Sequence, residues 1–268
     1  MSMASISDQE FSRFQQFIFE AAGITLSASK KALVSGRLAK RLLHCQFESY
    51  GAYFQLLTSG QAPDEVQTAV DLLTTNETYF FREPSHFDFL REQALVASRR
   101  SQPFRVWSAA SSTGEEAYSI AMVLADCLVS TPWEVLGTDI SSRVLQGASS
   151  GHYSLERTHN IPSAYLQRFC LKGTGPHQGT LLIERNLRSK VHFTQVNLNA
   201  ALPQLGLFDV IFLRNVMIYF NDDTKRQVVA RVLSLLKPGG HFCVGHSESL
   251  NGISTAVQPL APSIYRKP

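Results

Sequence analysis

The chain has 268 residues, a net charge of +3, a hydrophobic share of 44% and a charged share of 18%. So small a net charge does not predict binding to nucleic acid, and no apolar run is long enough for direct insertion into a membrane. The length suits one large domain, or a small domain joined to a medium one, with a substantial core.

The amino terminus and the cysteines both predict a cytoplasmic protein. The first residues are polar and acidic and lack the basic and apolar regions of a secretory signal. The four cysteines lie far apart without a CxxC pair, which is typical of reduced thiols. Potential ligands do not cluster at metal-binding spacing, so the sequence predicts no metal site.

Residues 7 to 73 predict helices only. Apolar residues recur at spacings of three and four from Phe11 to Ala21 and again from Leu33 to Leu42. Two shorter helices follow, at about 49–57 and 62–73. Because no alternation of strands and helices occurs before residue 100, residues 1–75 are predicted to form a small helical domain.

The second of these helices, about 29–45, carries cations but no acid. The cations are Lys30, Lys31, Arg37, Lys40 and Arg41. A solvated helix surface is the simplest interpretation. However, Arg37 and Arg41 lie four residues apart and repel each other, so a positive surface that docks on an acidic partner stays open as the alternative.

Residues 74–84 join short polar side chains directly to the aromatic run Tyr79, Phe80 and Phe81, followed by Arg82. Pro84 then begins a helix predicted over 85–97. Linkers are usually small and polar. The segment is therefore either an aromatic plug between domains or part of a ligand site.

From Phe104 onward, strands and helices alternate. A strand over 104–109, a turn of small residues ending at Gly114 and a helix over 115–129 resemble the first half of a nucleotide-binding βαβ unit. A second strand, 133–138, ends in Asp139, and a helix over 142–149 follows. Asp139 is placed either to bind ribose hydroxyls or to cap that helix.

Residues 151–190 interrupt the alternation. A helix is predicted over 155–169, and a turn-rich hairpin at about 170–190 forms an inserted β-subdomain. Core strands over 191–196 and 208–213 follow, ending in Asn197-Leu198 and Arg214-Asn215. A helix over 222–236 stops at Lys237-Pro-Gly-Gly; the last strands are 241–245 and an edge strand at 263–266.

Polar side chains follow four of the predicted strands, where ligands bind in a doubly wound sheet. They are Glu115 and Glu116 after Gly114, then Asp139, Asn197, Arg214 and Asn215. This pattern predicts a nucleotide-like ligand. Because acids would repel a phosphate, S-adenosylmethionine fits better than a dinucleotide.

Several motifs together resemble the CheR family of chemotaxis receptor glutamate methyltransferases, over nearly the whole chain. They are Asn76-Glu-Thr-Tyr-Phe-Phe-Arg-Glu, Trp107-Ser-Ala-Ala-Ser-Ser-Thr-Gly-Glu-Glu-Ala-Tyr-Ser, Gly137-Thr-Asp-Ile, Arg214-Asn-Val-Met-Ile-Tyr-Phe, Leu235-Leu-Lys-Pro-Gly-Gly and Gly245-His-Ser-Glu-Ser. Ala117 departs from the proline that the family commonly has after its paired glutamates. A first helical turn should tolerate that change.

The resemblance implies an α/β fold: a Rossmann-like methyltransferase sheet over 104–268 with an inserted antiparallel β-subdomain, preceded by an all-α domain. Residues 76–103 would be a linker and connecting helix that line the cofactor site. It also implies transfer of a methyl group from S-adenosylmethionine to receptor glutamates. The implied cofactor residues are Asn76, Thr78, Arg82, Glu116, Asp139, Asn197, Leu198, Arg214 and Asn215. Arg82 and Tyr219 are the implied catalytic residues.

The implied partner is an acidic helical bundle of a chemoreceptor, which makes the cations at 30–41 a docking surface. Some family members also bind a carboxyl-terminal receptor pentapeptide at the β-subdomain, where a peptide would add a strand to an edge. Two alternatives remain: a methyltransferase for another protein or a small molecule, and a non-catalytic cofactor-binding module. A hydrolase built on His246 is excluded because the sequence has no GxSxG elbow.

Overall fold

The computed structural model describes residues 5–99 and 102–268. These residues form two compact units. The first holds the described residues up to Thr75 together with Tyr219–Lys225, and the second holds Asn76–Ile218 and Arg226–Pro268. The sequence did not indicate that residues 219–225 join the helical unit.

The first unit contains four helices. They are α1 (Asp8–Ala22), α2 (Lys31–His44), α3 (Tyr50–Thr58) and α4 (Pro63–Leu73). Ser7 and Glu10 form a capping box that begins α1, and Gly23 ends it in the left-handed conformation. The core of the unit centres on Phe14, whose ring stacks on Tyr53 at 6.4 Å between centroids.

Backbone contacts explain why residues 219–225 belong to this unit. Ile24 and Phe220 form an isolated antiparallel bridge, and the Thr25 N–H donates to the Tyr219 carbonyl at 2.8 Å. A chain segment distant in sequence therefore completes the helical unit.

The main sheet of the second unit has seven strands, in the order β6-β2-β1-β7-β8-β10-β9. The strands are β1 (Phe104–Ser108), β2 (Trp133–Asp139), β6 (Val191–Gln195), β7 (Phe208–Leu213), β8 (Leu236–Val244), β9 (Gln258–Ala261) and β10 (Ile264–Arg266). The first five of these strands pair in parallel. The order reverses between β1 and β7, and this switch point is where ligands bind in such sheets.

Six helices accompany the two sheets of the second unit. They are α5 (Ser85–Ala97), α6 (Glu115–Cys127), α7 (Ser142–Ser150), α8 (Ser163–Phe169), α9 (Arg185–Arg188) and α10 (Asp222–Ser234), the last beginning in the first unit. The predicted α/β class with a helical unit before it is confirmed. None of the described helices is long and apolar enough to cross a membrane.

The predicted inserted subdomain is a three-stranded antiparallel sheet in the order β3-β5-β4. Its strands are β3 (His152–Ser154), β4 (Cys170–Lys172) and β5 (Thr180–Ile183), so it also includes residues before the predicted hairpin. The helix predicted over 155–169 was too long. Pro162 adopts an extended ψ of 139° immediately before α8, and a proline also disfavours helix at the residue before it.

Two predictions at the carboxyl end were wrong. Lys237-Pro-Gly-Gly does not end a helix but lies inside β8, since α10 already ends at Ser234. The last strand is not the sheet edge, because β10 lies between β8 and β9. All four residues of β9 are exposed and one is Pro259, so no alternating pattern marks this strand; proline is tolerated at an edge.

Candidate functional site

The carboxyl ends of β1, β2 and β7 bring the predicted site residues to one edge of the sheet. Asp139 is the last residue of β2, and Arg214 follows the last residue of β7. Glu116 is the second residue of α6, which begins after the turn that follows β1. These positions flank the switch point between β1 and β7.

Arg214 connects three segments that are distant in sequence. Its guanidinium donates to Glu116 Oε2 at 2.9 Å, to Glu83 Oε2 at 2.9 Å and to the carbonyl of Arg82. Its side chain is only 1% exposed, so burial would be costly without these partners. We refer to Arg214, Glu83 and Glu116 as the Arg214 cluster.

The two carboxylates of the Arg214 cluster have different electrostatic environments. Burial raises the pKa of Glu116, although Arg214 and the Ser108 hydroxyl, at 2.7 Å from Glu116 Oε1, oppose this effect. Burial would also raise the pKa of Glu83. There, Arg214 and donors such as the His246 N–H outweigh burial and hold the pKa below its usual value.

Asp139 links the end of β2 to the turn after β1. Its two oxygens accept the N–H of Ser112 and the N–H of Ser141, each at 2.9 Å. The residue at the N-cap of α7 is Ser141, so Asp139 is not the cap. Its carboxylate therefore lies where β2 meets the turn, at the position that binds ribose hydroxyls in related sheets.

The turn after β1 has little space around its backbone. Gly114 has a φ of +93°, and a Cβ there would lie 2.8 Å from the Cβ of Ala148. Ser112 also has a positive φ of 49°. The buried Ser111 hydroxyl has no hydrogen-bond partner among the described residues. A tight turn with an unpartnered buried hydroxyl is consistent with a ligand that contacts this backbone.

Residues 76–84 are part of the second unit and are fixed to the turn and to α6. The Asn76 carbonyl accepts from the Ser112 hydroxyl at 3.0 Å, and the Phe81 N–H donates to the Ser119 hydroxyl at 3.0 Å. Phe81 and Glu83 have positive φ values of 53° and 60°. Such strained positions persist only where surrounding contacts hold them, and they are common at functional sites.

Side chains of this segment divide between the core and the site. Phe80 is fully buried, with its ring 5.0 Å from that of Tyr153. Arg82 is half-buried; its guanidinium donates to the Glu77 carbonyl at 3.2 Å and lies 5.7 Å from the Tyr79 ring centre. Phe80 therefore packs inside the second unit rather than between domains, and a ligand role for this segment stays a prediction.

The sequence did not indicate the roles of Glu115 and Arg157. Glu115 is fully buried, which raises the pKa of its carboxyl group, and it pairs with Arg157. Arg157 also donates to the Thr78 carbonyl at 3.2 Å. The inserted region thus contacts both α6 and the 76–84 segment. No local motif could have indicated this, because the partners are distant in sequence.

Glu248 is a second residue that the sequence left without a role. Its carboxylate accepts the N–H groups of Asn215, Ile218 and Gly245, at 2.8, 3.2 and 2.7 Å. It holds the chain after Arg214, where Asn215 has a φ of +58°. The only signal was its place in the motif Gly245-His-Ser-Glu-Ser.

Asn197 and Leu198 follow β6 at the other end of the site. The Asn197 side chain accepts the N–H of Asn199 at 2.9 Å. Leu198 is buried, and its carbonyl accepts from Arg231 at 3.1 Å. Tyr219 belongs to the first unit, and its carbonyl accepts from Thr25.

Three of the five cations around α2 have partners within the first unit. Lys31 pairs with Asp8 at 2.7 Å, and Arg41 forms a two-pronged ion pair with Glu65. Arg37 donates to backbone carbonyls at the end of α4. Lys30 and Lys40 are exposed, and neither forms an ion pair within residues 5–99 and 102–268.

Comparisons with known proteins follow the same division. The family model described as "CheR methyltransferase, all-alpha domain" matches residues 9–74, and "CheR methyltransferase, SAM binding domain" matches residues 76–265. A chemotaxis protein methyltransferase of Escherichia coli K12 is 42% identical over 97% of this chain and 91% of its own. A chemotaxis protein methyltransferase of Klebsiella aerogenes is 43% identical over 97% of this chain and 90% of its own. Chemotaxis protein methyltransferase 2 of Pseudomonas aeruginosa PAO1 is 40% identical over 96% of this chain and 92% of its own.

Proposed function

The chain belongs to the CheR methyltransferase family, and we propose that it methylates specific glutamate side chains of chemoreceptors, giving glutamyl methyl esters. That it is an S-adenosylmethionine-dependent methyltransferase of chemotaxis follows from the family and confirms the predicted enzyme and cofactor. The receptor glutamates and a cytoplasmic location are the proposed part. The observation that best supports this function is the Arg214 cluster at the switch point of the sheet.

The described residues fit S-adenosylmethionine. The turn after β1 has only Gly114 as glycine and leads into two glutamates, so it suits a ligand without a pyrophosphate. Asp139 supplies a carboxylate for ribose hydroxyls at the tip of β2. We propose that the cofactor is lined by Asn76, Thr78, Arg82, Glu116, Asp139, Asn197, Leu198, Arg214 and Asn215.

The structure sharpens the proposed role of Glu116. Its two oxygens are already engaged by Ser108 and Arg214. Its negative charge therefore offsets that of the guanidinium, so that the Arg214 cluster does not present an excess positive charge to a cationic cofactor. Any direct bond from Glu116 to the cofactor would have to share one of these oxygens.

The cofactor supplies an activated methyl group on a sulfonium. A substrate carboxylate oxygen forms a bond to that methyl carbon as the carbon–sulfur bond breaks. Since the reactants have opposite charges, the reaction needs alignment rather than proton transfer. The substrate must be ionised, because the neutral acid is a poor nucleophile. We assign this alignment to Arg82 and the Tyr219 hydroxyl.

Receptor docking is proposed for the cations Lys30, Lys31, Arg37, Lys40 and Arg41. Lys30 and Lys40, which are exposed and without ion pairs in the part of the chain that the structure describes, would supply the direct contacts to an acidic helical bundle. The others would act mainly through the fold of the first unit, because their charges are partly engaged there. Salt should weaken this contact.

A receptor tail peptide is proposed to bind the small sheet. β4 is an edge strand of this sheet, and Leu171 on it is 53% exposed. A short peptide could add a strand there. Calorimetry with an aromatic-ended receptor tail peptide tests this point, with the same peptide lacking its aromatic residue as the control. If no heat is released with either peptide, tethering is absent.

Transfer of labelled methyl from S-adenosylmethionine to receptor membranes tests the main proposal. The label should appear on receptors and be released by base, as a methyl ester requires. Arg82→Ala and Tyr219→Phe should each lower kcat at least tenfold while the cofactor still binds. Arg185→Ala, an exposed arginine on α9, is the matched control.

Two results would contradict these assignments. Wild-type turnover in Arg82→Ala or in Tyr219→Phe would remove the catalytic role of that residue. A base-stable label, or label only on small molecules from a cell extract, would replace receptor glutamates by another substrate.

A further inference from the structure

Three potential metal ligands meet beside the Arg214 cluster. They are Glu83 Oε2, His86 Nδ1 and His246 Nε2, which all lie within 4.8 Å of one another. Glu83 Oε2 is 3.5 Å from His86 Nδ1 and 3.9 Å from His246 Nε2. Glu83 lies just before α5, His86 is the second residue of α5, and His246 follows β8, so no sequence spacing could have indicated this group.

The tautomer of His86 follows from its other nitrogen. His86 Nε2 lies 2.9 Å from the Ser263 hydroxyl, which itself donates to the Pro262 carbonyl at 2.7 Å. A hydroxyl that donates to this carbonyl accepts from His86, so we assign the ring proton to Nε2. With its proton on Nε2, His86 presents a lone pair at Nδ1.

That lone pair has no protein donor. His86 is 0% exposed, and its Nδ1 has no hydrogen-bond partner among the described residues. The atom faces the carboxylate of Glu83, so two electron-pair donors lie opposite each other in a buried place. Such an arrangement is unfavourable unless a positive species lies between them.

We propose that Glu83, His86 and His246 bind a divalent transition-metal ion of the zinc type. Two imidazoles and one carboxylate suit zinc, whereas magnesium and calcium prefer oxygen ligands. Tetrahedral ligands about zinc lie about 3.3 Å apart. Distances of 3.5 and 3.9 Å lie near this value, and the two histidine nitrogens, within 4.8 Å of each other, would also approach it. His246 is 52% exposed, which leaves a path for entry and a fourth position for water.

Neighbouring charges permit a cation at this position. Two N–H groups of Arg214 donate to the same oxygen of Glu83, at 2.9 and 3.3 Å, so the ion would replace the longer of these bonds. Glu116 pairs with the other side of that guanidinium. With both glutamates ionised, the Arg214 cluster carries two negative charges and one positive charge, and this net charge offsets the repulsion of a cation by Arg214.

The ion would join the start of α5 to the loop after β8. Arg82 directly precedes Glu83, so a bound ion would restrict the segment that carries it. This is a positioning role, and it includes no chemistry of methyl transfer. The site goes beyond the proposed function and does not depend on the substrate.

Metal binding to the full chain tests the proposal. The purified protein is treated with a chelator, dialysed and titrated with ZnCl₂ by calorimetry, and retained zinc is counted by mass spectrometry. We expect one zinc ion per chain and a raised Tm. Co²⁺ bound in its place should show the visible absorption of a tetrahedral nitrogen–oxygen site.

His246→Ala is the informative variant, because this half-exposed side chain can be removed without opening the core. It should weaken zinc binding more than tenfold and abolish the Co²⁺ absorption. His44→Ala, an exposed histidine at the end of α2, is the matched control and should bind as the wild type does. Circular dichroism checks that both variants fold.

Failure to retain zinc, or equal binding by wild type and His246→Ala, would overturn the site. These measurements need neither cofactor nor receptor. Their failure therefore leaves the methyl-transfer proposal untouched, and failure of methyl transfer leaves the metal site untouched.

Discussion

Arg41 in the first unit and Arg214 in the second both pair with glutamate, but their surroundings differ. Arg41 is 27% exposed and pairs with Glu65, which also accepts from the Tyr53 hydroxyl at 2.6 Å. Arg214 is 1% exposed and pairs with two glutamates. The first arrangement joins helices α2, α3 and α4 of one small unit, whereas the second joins three distant segments where the sheet has its switch point.

This difference separates a structural arginine from the arginine that we propose for the cofactor site. The sequence suggested functional roles for both, one in docking and one in cofactor binding. The charge of Arg41 is largely satisfied within its own unit, so it stabilises the fold and adds little attraction to a partner. Arg214 holds the backbone of Arg82 and the carboxylates around it, so its loss should disturb the site and the fold together.

The largest expected effect is that of Arg214→Met. It leaves the carboxylates of Glu83 and Glu116 buried without their cation, which costs about 3–5 kcal/mol. Urea unfolding should show this loss, and calorimetry should show that S-adenosylmethionine no longer binds. Arg41→Met should leave cofactor affinity within twofold of wild type. Equal loss of cofactor binding in both variants would erase the distinction between the two arginines.

The next effect is that of Glu248→Ala. Three backbone N–H groups lose their acceptor, so we expect a loss of about 2–3 kcal/mol in the free energy of unfolding. The turn at Asn215 should loosen, and cofactor affinity should fall about tenfold. Glu248→Gln, which keeps one acceptor oxygen, should recover part of both quantities. Unchanged cofactor affinity in Glu248→Ala would show that the site does not depend on this turn.

A smaller, pH-dependent effect is expected for Glu65→Gln. Hydrogen bonds from Arg41 hold the pKa of Glu65 below its usual value, although burial opposes this effect. The ionised pair therefore stabilises the folded state above about pH 4.5, and this contribution is lost as the pH falls through the lowered pKa. Glu65→Gln should lose about 1 kcal/mol at pH 7 in urea unfolding and less as the pH falls below about 4.5. A constant difference at both pH values would contradict this explanation.

The smallest effect on stability is expected for Lys40→Glu. This exposed side chain forms no ion pair in the described part of the chain, so the free energy of unfolding should change by less than about 0.5 kcal/mol. The rate of receptor methylation at low salt should nevertheless fall several-fold, and the difference should shrink at high salt. Lys190→Glu, an exposed lysine of the second unit, is the control. The docking role fails if both variants methylate receptors at the same rate.

The sequence predicted elements well where one physical signal dominates. Strand β7 has an unbroken apolar run from Val210 to Leu213, and α5 begins after Pro84; both were predicted with the observed bounds. Strand β9 gave no signal because all its side chains are exposed. The strand-end residues were found because parallel strands place their carboxyl ends along one edge.

The contacts among those residues could not be read from the sequence. Glu116 could pair with a cofactor or with Arg214, and spacing does not distinguish the two. Arg41 looked unpaired because its partner Glu65 lies on another helix. The grouping of His86 with His246 likewise depends on the tertiary fold.

The sequence separation within the Arg214 cluster has a consequence for synthesis on the ribosome. Glu83 and Arg214 are 131 residues apart, so the early segment 76–84 cannot obtain its main cationic partner until β7 has emerged. The helical unit is also incomplete until Tyr219 has been synthesised, because the Thr25 N–H donates to the Tyr219 carbonyl. Both units are therefore completed by nearly the same stretch of nascent chain. A protein truncated before residue 214 would lack both contacts and expose the buried acids of an unfinished site.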